Sequence, residues 1–132
     1  MKIYYREKSG GIEILRCFGI EGRVEIPGMI DGKLVISAAP YAFSSHMDEK
    51  EELKNASLWE VSEGLGFGRE EHVLAGNDVE EIVFPYTLKE IGRYIFYGCG
   101  NLKKLEFSDS LMQIGCGAFT GCHALEKLTV HM

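Results

Sequence analysis

The stretch Leu102-Lys103-Lys104-Leu105-Glu106-Phe107 returns one period later as Leu125-Glu126-Lys127-Leu128-Thr129-Val130, a step of 23. More of the chain recurs at the same step. Ile91-Gly92 becomes Ile114-Gly115, Phe96 becomes Phe119, and Gly98-Cys99 becomes Gly121-Cys122. One step back, Val79, Ile82 and Phe84 fill the same three apolar slots. A fixed period of this length marks a solenoid. Leu105 and Phe107 are two positions apart and so share one face of a strand, while Lys104 and Glu106 face the other way. Identical slots in successive coils stack, with parallel strands about 4.8 Å apart. One coil cannot cover its own apolar face, and stacking covers it. Ile82, Phe84, Leu105, Phe107, Leu128 and Val130 are therefore expected inside.

The remainder of each repeat turns the chain back. After the strand comes polar Ser108-Asp109-Ser110, then Leu111 and Ile114 return to the core, as Leu88 and Ile91 do one coil earlier. Gly92 and Gly115 are expected to relieve strain at a bend, since glycine accepts positive φ. Cys116–Gly121 is long enough for one helical turn, stopped at Gly121. Phe96 and Phe119 would fill the space between that turn and the sheet. Cys99 and Cys122 share one slot, near enough for a disulfide. Packed free thiols are favoured, because no secretory leader is evident and a repeated core slot usually serves packing.

The pattern Leu-x-x-Leu-x-Phe, then Leu-x-x-Ile-Gly, then Phe-x-Gly-Cys, resembles the BspA-like leucine-rich repeats of bacterial surface proteins. The resemblance is full over 79–132 and weaker over 12–43. There, Val24-Glu25-Ile26-Pro27 and Leu34–Phe43 resemble the two halves of one repeat, with Ala38-Ala39 in place of Ile-Gly. It implies a short right-handed superhelix, a β-rich α/β solenoid. It also implies a binding or adhesion module with no catalytic residues and no cofactor.

The expected organisation is one domain in four parts: a β-hairpin cap over 1–22, a first repeat over 23–43, an insertion over 44–78, and regular repeats over 79–132. Ile3-Tyr4-Tyr5 and Ile12–Phe18 read as the two cap strands, joined through Ser9-Gly10-Gly11. Between Phe43 and Val79 there are 36 steps where Phe96 to Leu102 takes 6, so about thirty residues are inserted in one coil. Residues 48–61 are rich in helix formers with an acidic first turn, and Leu58, Val61 and Leu65 have helical spacing. A helix and a glycine loop are preferred there over a degenerate repeat, because Glu63 would fall in an apolar slot. At the other end the chain stops just after the strand 128–130. Either further repeats follow, the favoured reading, or a second copy covers the exposed edge as a homodimer.

The formal charge is −6. Residues 44–81 hold 11 of the 20 acidic residues and 3 of the 14 basic ones. An acidic chain without a basic stripe is a poor nucleic-acid binder. No apolar run approaches the length of a membrane span, roughly 18 residues. The first residues lack the apolar run of a signal peptide, which argues for the cytoplasm unless a leader has been removed; the family resemblance argues for the cell surface. His46, His72, His123 and His131 lack metal-ligand spacing, and Gly64–Gly68 lacks the lysine and hydroxyl of a phosphate loop. Neither a metal site nor a catalytic residue is expected. The informative surface is the outward row of the repeats. One column reads Glu81, Lys104, Lys127 and the next reads Val83, Glu106, Thr129. Opposite charges on adjacent strands fix register; the same face could also bind a protein partner. The expected function is a non-enzymatic protein-interaction module using this face (Glu81, Lys104, Glu106, Lys127, Thr129) or the acidic insertion. The alternative is a structural or self-assembling part of a larger surface protein.

Overall fold

The computed structural model describes residues 1–19, 22–44, 53–60, 79–131 and the backbone of 72–73. Among the described residues, twelve strands form two sheets around one core. They are β1 (Lys2–Lys8), β2 (Gly11–Gly19), β3 (Arg23–Glu25), β4 (Met29–Ile30), β5 (Lys33–Ala38), β6 (Ser57–Glu60), β7 (His72–Val73), β8 (Glu81–Val83), β9 (Glu90–Ile91), β10 (Lys104–Ser108), β11 (Gln113–Ile114) and β12 (Lys127–His131).

The first sheet is the one read from the repeat. Its four strands run in the order β12-β10-β8-β3, all parallel. Leu105 lies beside Leu128 on one side and Ile82 on the other. Ile82, Phe84, Leu105 and Phe107 are buried. The Phe84 and Phe107 rings stack at 5.1 Å, within 4° of parallel. Across the core runs a second aromatic column, with Phe43 to Phe96 at 6.0 Å and Phe96 to Phe119 at 5.8 Å.

The second sheet has eight strands, with the path β11-β9-β5-β2-β1-β6. Its β11, β9, β5 and β2 are parallel and supply the opposite wall of the coils. At β2 the direction changes: β1 pairs with it antiparallel, and this hairpin closes the N-terminal end. The hairpin turn is shorter than expected. Ser9 and Gly10 alone form it, at φ 52° and 81°, which is the doubly positive pattern that matches strand twist in a two-residue turn. Gly11 belongs to the strand, where a Cβ would meet Leu34 O at 2.9 Å.

The insertion does not interrupt the parallel sheet. β3 pairs directly with β8, Val24 beside Ile82, although the whole insertion lies between Glu25 and Glu81 in the chain. The expected helix over 48–61 is not found where residues are described. Residues 53–55 form a turn and 57–60 form β6, which lies antiparallel on β1. The free edge of the hairpin offers unpaired backbone groups, and Ser57–Glu60 satisfies them. Leu58 is thereby left 46% exposed, outside any apolar stripe; residues 48–52, Val61, Glu63 and Leu65 lie outside the described residues. The backbone of β7 pairs with the far end of β2. No helix occurs among the described residues, so the chain is a β solenoid there rather than an α/β one. Cys116–Gly121 is a run of tight turns, with Ala118 N donating to Gly115 O, Thr120 N to Gly117 O and Cys122 N to Phe119 O.

Gly92 and Gly115 are required for a different reason from the one expected. Neither has positive φ. A Cβ on Gly92 would lie 2.3 Å from Pro40 N, and one on Gly115 would lie 2.2 Å from Arg93 N. Each glycine lets its coil descend onto the backbone of the coil before it. The left-handed slot falls two positions later and holds tyrosine twice: Tyr41 at φ 60° and Tyr94 at φ 51°, then Gly117 at 68°. The two rings stack at 5.6 Å, and the Tyr94 ring occupies the space a Gly117 side chain would need.

Candidate interaction surface

The outward face of the parallel sheet carries the columns expected from the repeat, each extended by one residue of β3. Arg23, Glu81, Lys104 and Lys127 form one row; Glu25, Val83, Glu106 and Thr129 form the next. Pleating sends these side chains outward while Val24, Ile82 and Leu105 point into the core. Arg23 contacts Glu25 at 2.6 Å and Glu81 at 3.5 Å, and His131 meets Glu106 at 3.3 Å. Hydrogen bonds to Glu25 hold the exposed Arg23 guanidinium above its usual pKa. The expected charge zipper is therefore partial. Glu81 turns to Arg23, and Lys104 and Lys127 lie side by side, exposed, with no carboxylate partner among the described residues. Two ammonium groups one strand spacing apart are mutually unfavourable.

A second polar row, on the opposite sheet, was not legible in the sequence. The pairing of β2, β5, β9 and β11 brings Glu13, Ser37, Glu90 and Gln113 together. Glu13 is 2% exposed and accepts from Arg6 (2.7 Å), Lys8 (3.1 Å) and Ser37 (3.0 Å). Lys8 also donates to Glu90 at 2.6 Å, which raises the lysine pKa and lowers that of Glu90. These groups line an open groove of about 580 Å³, whose other wall is Met112–Gly115. Both carboxylates here are satisfied by protein donors, so the row acts as a polar staple between the cap and the coils. Nearby, the buried Arg16 donates to the carbonyls of Tyr41 (2.7 Å) and Ser44 (2.6 Å). It fastens the turn from which the insertion leaves. No spacing rule marks Glu13 or Arg16, since both sit in the cap, before the period begins.

Cys99 and Cys122 are free thiols in equivalent slots. Each donates to the carbonyl of a phenylalanine in the preceding coil, Cys99 to Phe43 at 3.1 Å and Cys122 to Phe96 at 3.5 Å. Burial pushes the Cys122 thiol up to about 11, which opposes the thiolate that a nucleophile needs. A ladder of S–H donors is thus a packing device. Alkylation should accordingly modify the exposed Cys116 first. Cys122 should react about a hundredfold more slowly than an ordinary exposed thiol, because its thiolate fraction falls by about that factor. Mass spectrometry of timed iodoacetamide reactions reads this, and a Cys122 as fast as Cys116 would refute it.

Beyond β12 and β11 no further strand lies among the described residues. Leu128, Val130 and Ile114 are 52%, 51% and 54% exposed, although their equivalents Leu105, Phe107 and Ile91 are buried. The expectation that Leu128, Val130 and Ile114 lie inside fails for one reason. Burial in a solenoid needs a coil on both sides, and among the described residues this coil has one on a single side.

A family model described as BspA type Leucine rich repeat region (6 copies) matches residues 70–132. No curated protein matches the chain. Among solved structures, a leucine rich cell surface protein from Faecalibacterium prausnitzii A2-165 is similar, with a TM-score of 0.64 and 19% identity. The match covers 96% of this chain and 30% of that one, so the chain spans less than a third of that protein's length. No helix among the described residues is long and apolar enough to cross a membrane.

Proposed function

Residues 70–132 are a BspA type leucine rich repeat region, and from that premise we propose that the protein is a non-enzymatic module that binds another protein through the outward face of its parallel sheet. One observation carries the reading: Lys104 and Lys127 stand adjacent and without a carboxylate partner among the described residues, on an otherwise well-paired surface. A sheet that used charge only to hold register would alternate signs at this point. The pair suits a carboxylate-bearing surface on the partner, with Glu106 and Glu25 beside it to reject the wrong charge pattern. The cell-surface description of the similar solved protein supports placing such a module outside the cell, the alternative to the cytoplasmic placement suggested by the first residues.

The double substitution Lys104→Glu and Lys127→Glu should weaken capture of the partner by about tenfold or more, with the melting temperature unchanged, because both side chains are exposed. Binding should also fall steeply with added salt. The rival site is the acidic insertion. Deleting 46–76 would remove β6 and β7 and disturb the cap, so the better control is Glu49→Gln with Glu51→Gln and Glu52→Gln. Loss of binding in that variant, with the lysine variant unaffected, moves the function to the insertion.

A further inference from the structure

Large apolar side chains stand exposed where the outward face of the parallel sheet ends, at the turns that follow β3 and β8. Met29, Leu34 and Tyr86 are 56%, 47% and 74% exposed. The packing of the coils requires none of them. β4 and β5 form a hairpin in which Met29 lies opposite Leu34 and Ile30 opposite Lys33. Ile30 is buried, so strand alternation turns Met29 and Leu34 together to the surface. Tyr86 occupies a slot that holds Gly28 one coil earlier and Asp109 one coil later, so the stack needs no ring there.

The backbone beneath these side chains is well fixed. Asp31 and Gly32 turn the hairpin at φ 52° and 73°, the pattern that matches strand twist in a two-residue turn. Lys33 pairs with Glu7 of the cap. Thr87 Oγ1 donates to Gly28 O at 3.4 Å, and a Cβ on Gly28 would lie 3.6 Å from Pro85 Cβ. The turn that carries Tyr86 therefore lies against the base of the hairpin. Ser108 Oγ donates to Tyr86 O at 3.2 Å and holds the same turn from the next coil. Apolar groups on a fixed backbone lose little conformational freedom when a partner covers them.

We propose that Met29, Leu34 and Tyr86 are the apolar half of the partner site whose charged half is Lys104 and Lys127, an inference that rests on the function proposed above. The two halves are continuous. Lys104 lies beside Glu81, and half-buried Val83 and Pro85 lead from there to Tyr86. Glu81 and Tyr86 are five residues apart, about 16 Å at the rise of a strand. The occupant is a short segment of another protein. It carries carboxylates for the two ammonium groups and, about 16 Å away, a large apolar side chain for Tyr86, Met29 and Leu34. An anionic lipid surface is disfavoured, because Glu25, Glu81 and Glu106 share the face and would meet its head groups. The charges speed encounter, and the apolar contact slows dissociation.

The test presents the whole chain with a random library of peptides of about 12 residues, long enough to span the site when extended. Selected peptides should carry acidic residues and a large apolar residue about five positions apart. Tyr86→Ser should weaken their binding about tenfold or more, chiefly by faster dissociation, with the melting temperature unchanged because the ring is exposed. Lys104→Glu with Lys127→Glu should instead slow association, and added salt should shrink that difference. Surface plasmon resonance separates the two rates. Leu58→Ser, at an exposed apolar side chain on β6, should change neither. Peptides that need the lysines but ignore Tyr86→Ser would overturn this inference and leave the proposed function standing. Peptides that need Tyr86 but ignore the lysines would overturn both. A library that yields no binder would overturn this inference, which requires that a short segment suffice. Sedimentation equilibrium giving a mass above 14.8 kDa that Tyr86→Ser abolishes would assign the patch to a second copy and overturn it as well.

Discussion

Gly92→Ala should lower stability by about 3 kcal/mol, near the upper end for forced overpacking, and reduce the melting temperature by about 10 °C for a chain of this size. The methyl group would lie 2.3 Å from Pro40 N, 2.6 Å from Ala39 C and 2.7 Å from Pro40 Cα. All three are backbone atoms, so no side chain can rotate away and the two coils must separate. Separation would loosen the pairing of β5 with β9 and the bond from Gly92 N to Ala38 O. Gly115→Ala creates the same contact with Arg93 and Gly92. In this chain it should cost only about 1 kcal/mol, because among the described residues that coil is packed on one side and can tilt. Thermal unfolding by circular dichroism compares the two. Equal losses, or a Gly92→Ala melting temperature within about 2 °C of the parent, would contradict close coil stacking as the role of these glycines.

The second large effect is expected at Phe96. Its ring is fully buried and contacts Phe43, Phe84 and Phe119, with centroids 6.0, 6.1 and 5.8 Å away. Phe96→Ala should cost about 4 kcal/mol, from lost transfer energy and from a cavity that a stacked lattice of coils collapses poorly. That is a large share of the roughly 5–15 kcal/mol that holds a domain together. Phe119→Ala removes the same group one coil later, from a ring that is only partly buried. Roughly half the loss is expected there, since less apolar area returns to water. Phe96→Leu should recover most of the stability. Urea titration gives the three values. A Phe96→Ala loss no larger than that of Phe119→Ala would mean that the aromatic column is not the centre of the core.

The glycine and phenylalanine comparisons share a logic. Each sets a slot in an inner coil against the same slot in the last one. Sequence treats the two as equivalent, since a period carries no record of which coil is covered on both sides. That is why Leu128 and Ile114 read as core residues and emerge half-exposed. The repeat did give, residue by residue, the parallel pairing of Ile82, Leu105 and Leu128 and the outward columns at Glu81 and Glu106. Stacking identical units is the one arrangement that covers all their apolar faces, so a fixed period and an in–out alternation suffice to specify it.

Where the period lapses, local signals were poor guides. Ser57–Glu60 has helix formers before it and reads as helix, yet it is a strand, because the hairpin edge of β1 was waiting for backbone partners. Gly92 and Gly115 were visible as special positions, but only the distance to the coil beneath distinguishes close approach from positive φ. Tyr41 and Tyr94 hold the left-handed slot that sequence rules would reserve for glycine. Glu13, Ser37 and Glu90 come from segments far apart in the chain, and only sheet order makes them neighbours. Sequence alone determined what repeats, because burial of a periodic apolar face is a local arithmetic. Tertiary structure decided what closes, caps and staples the stack, because an edge strand or a buried carboxylate takes its partner from whatever the fold brings near.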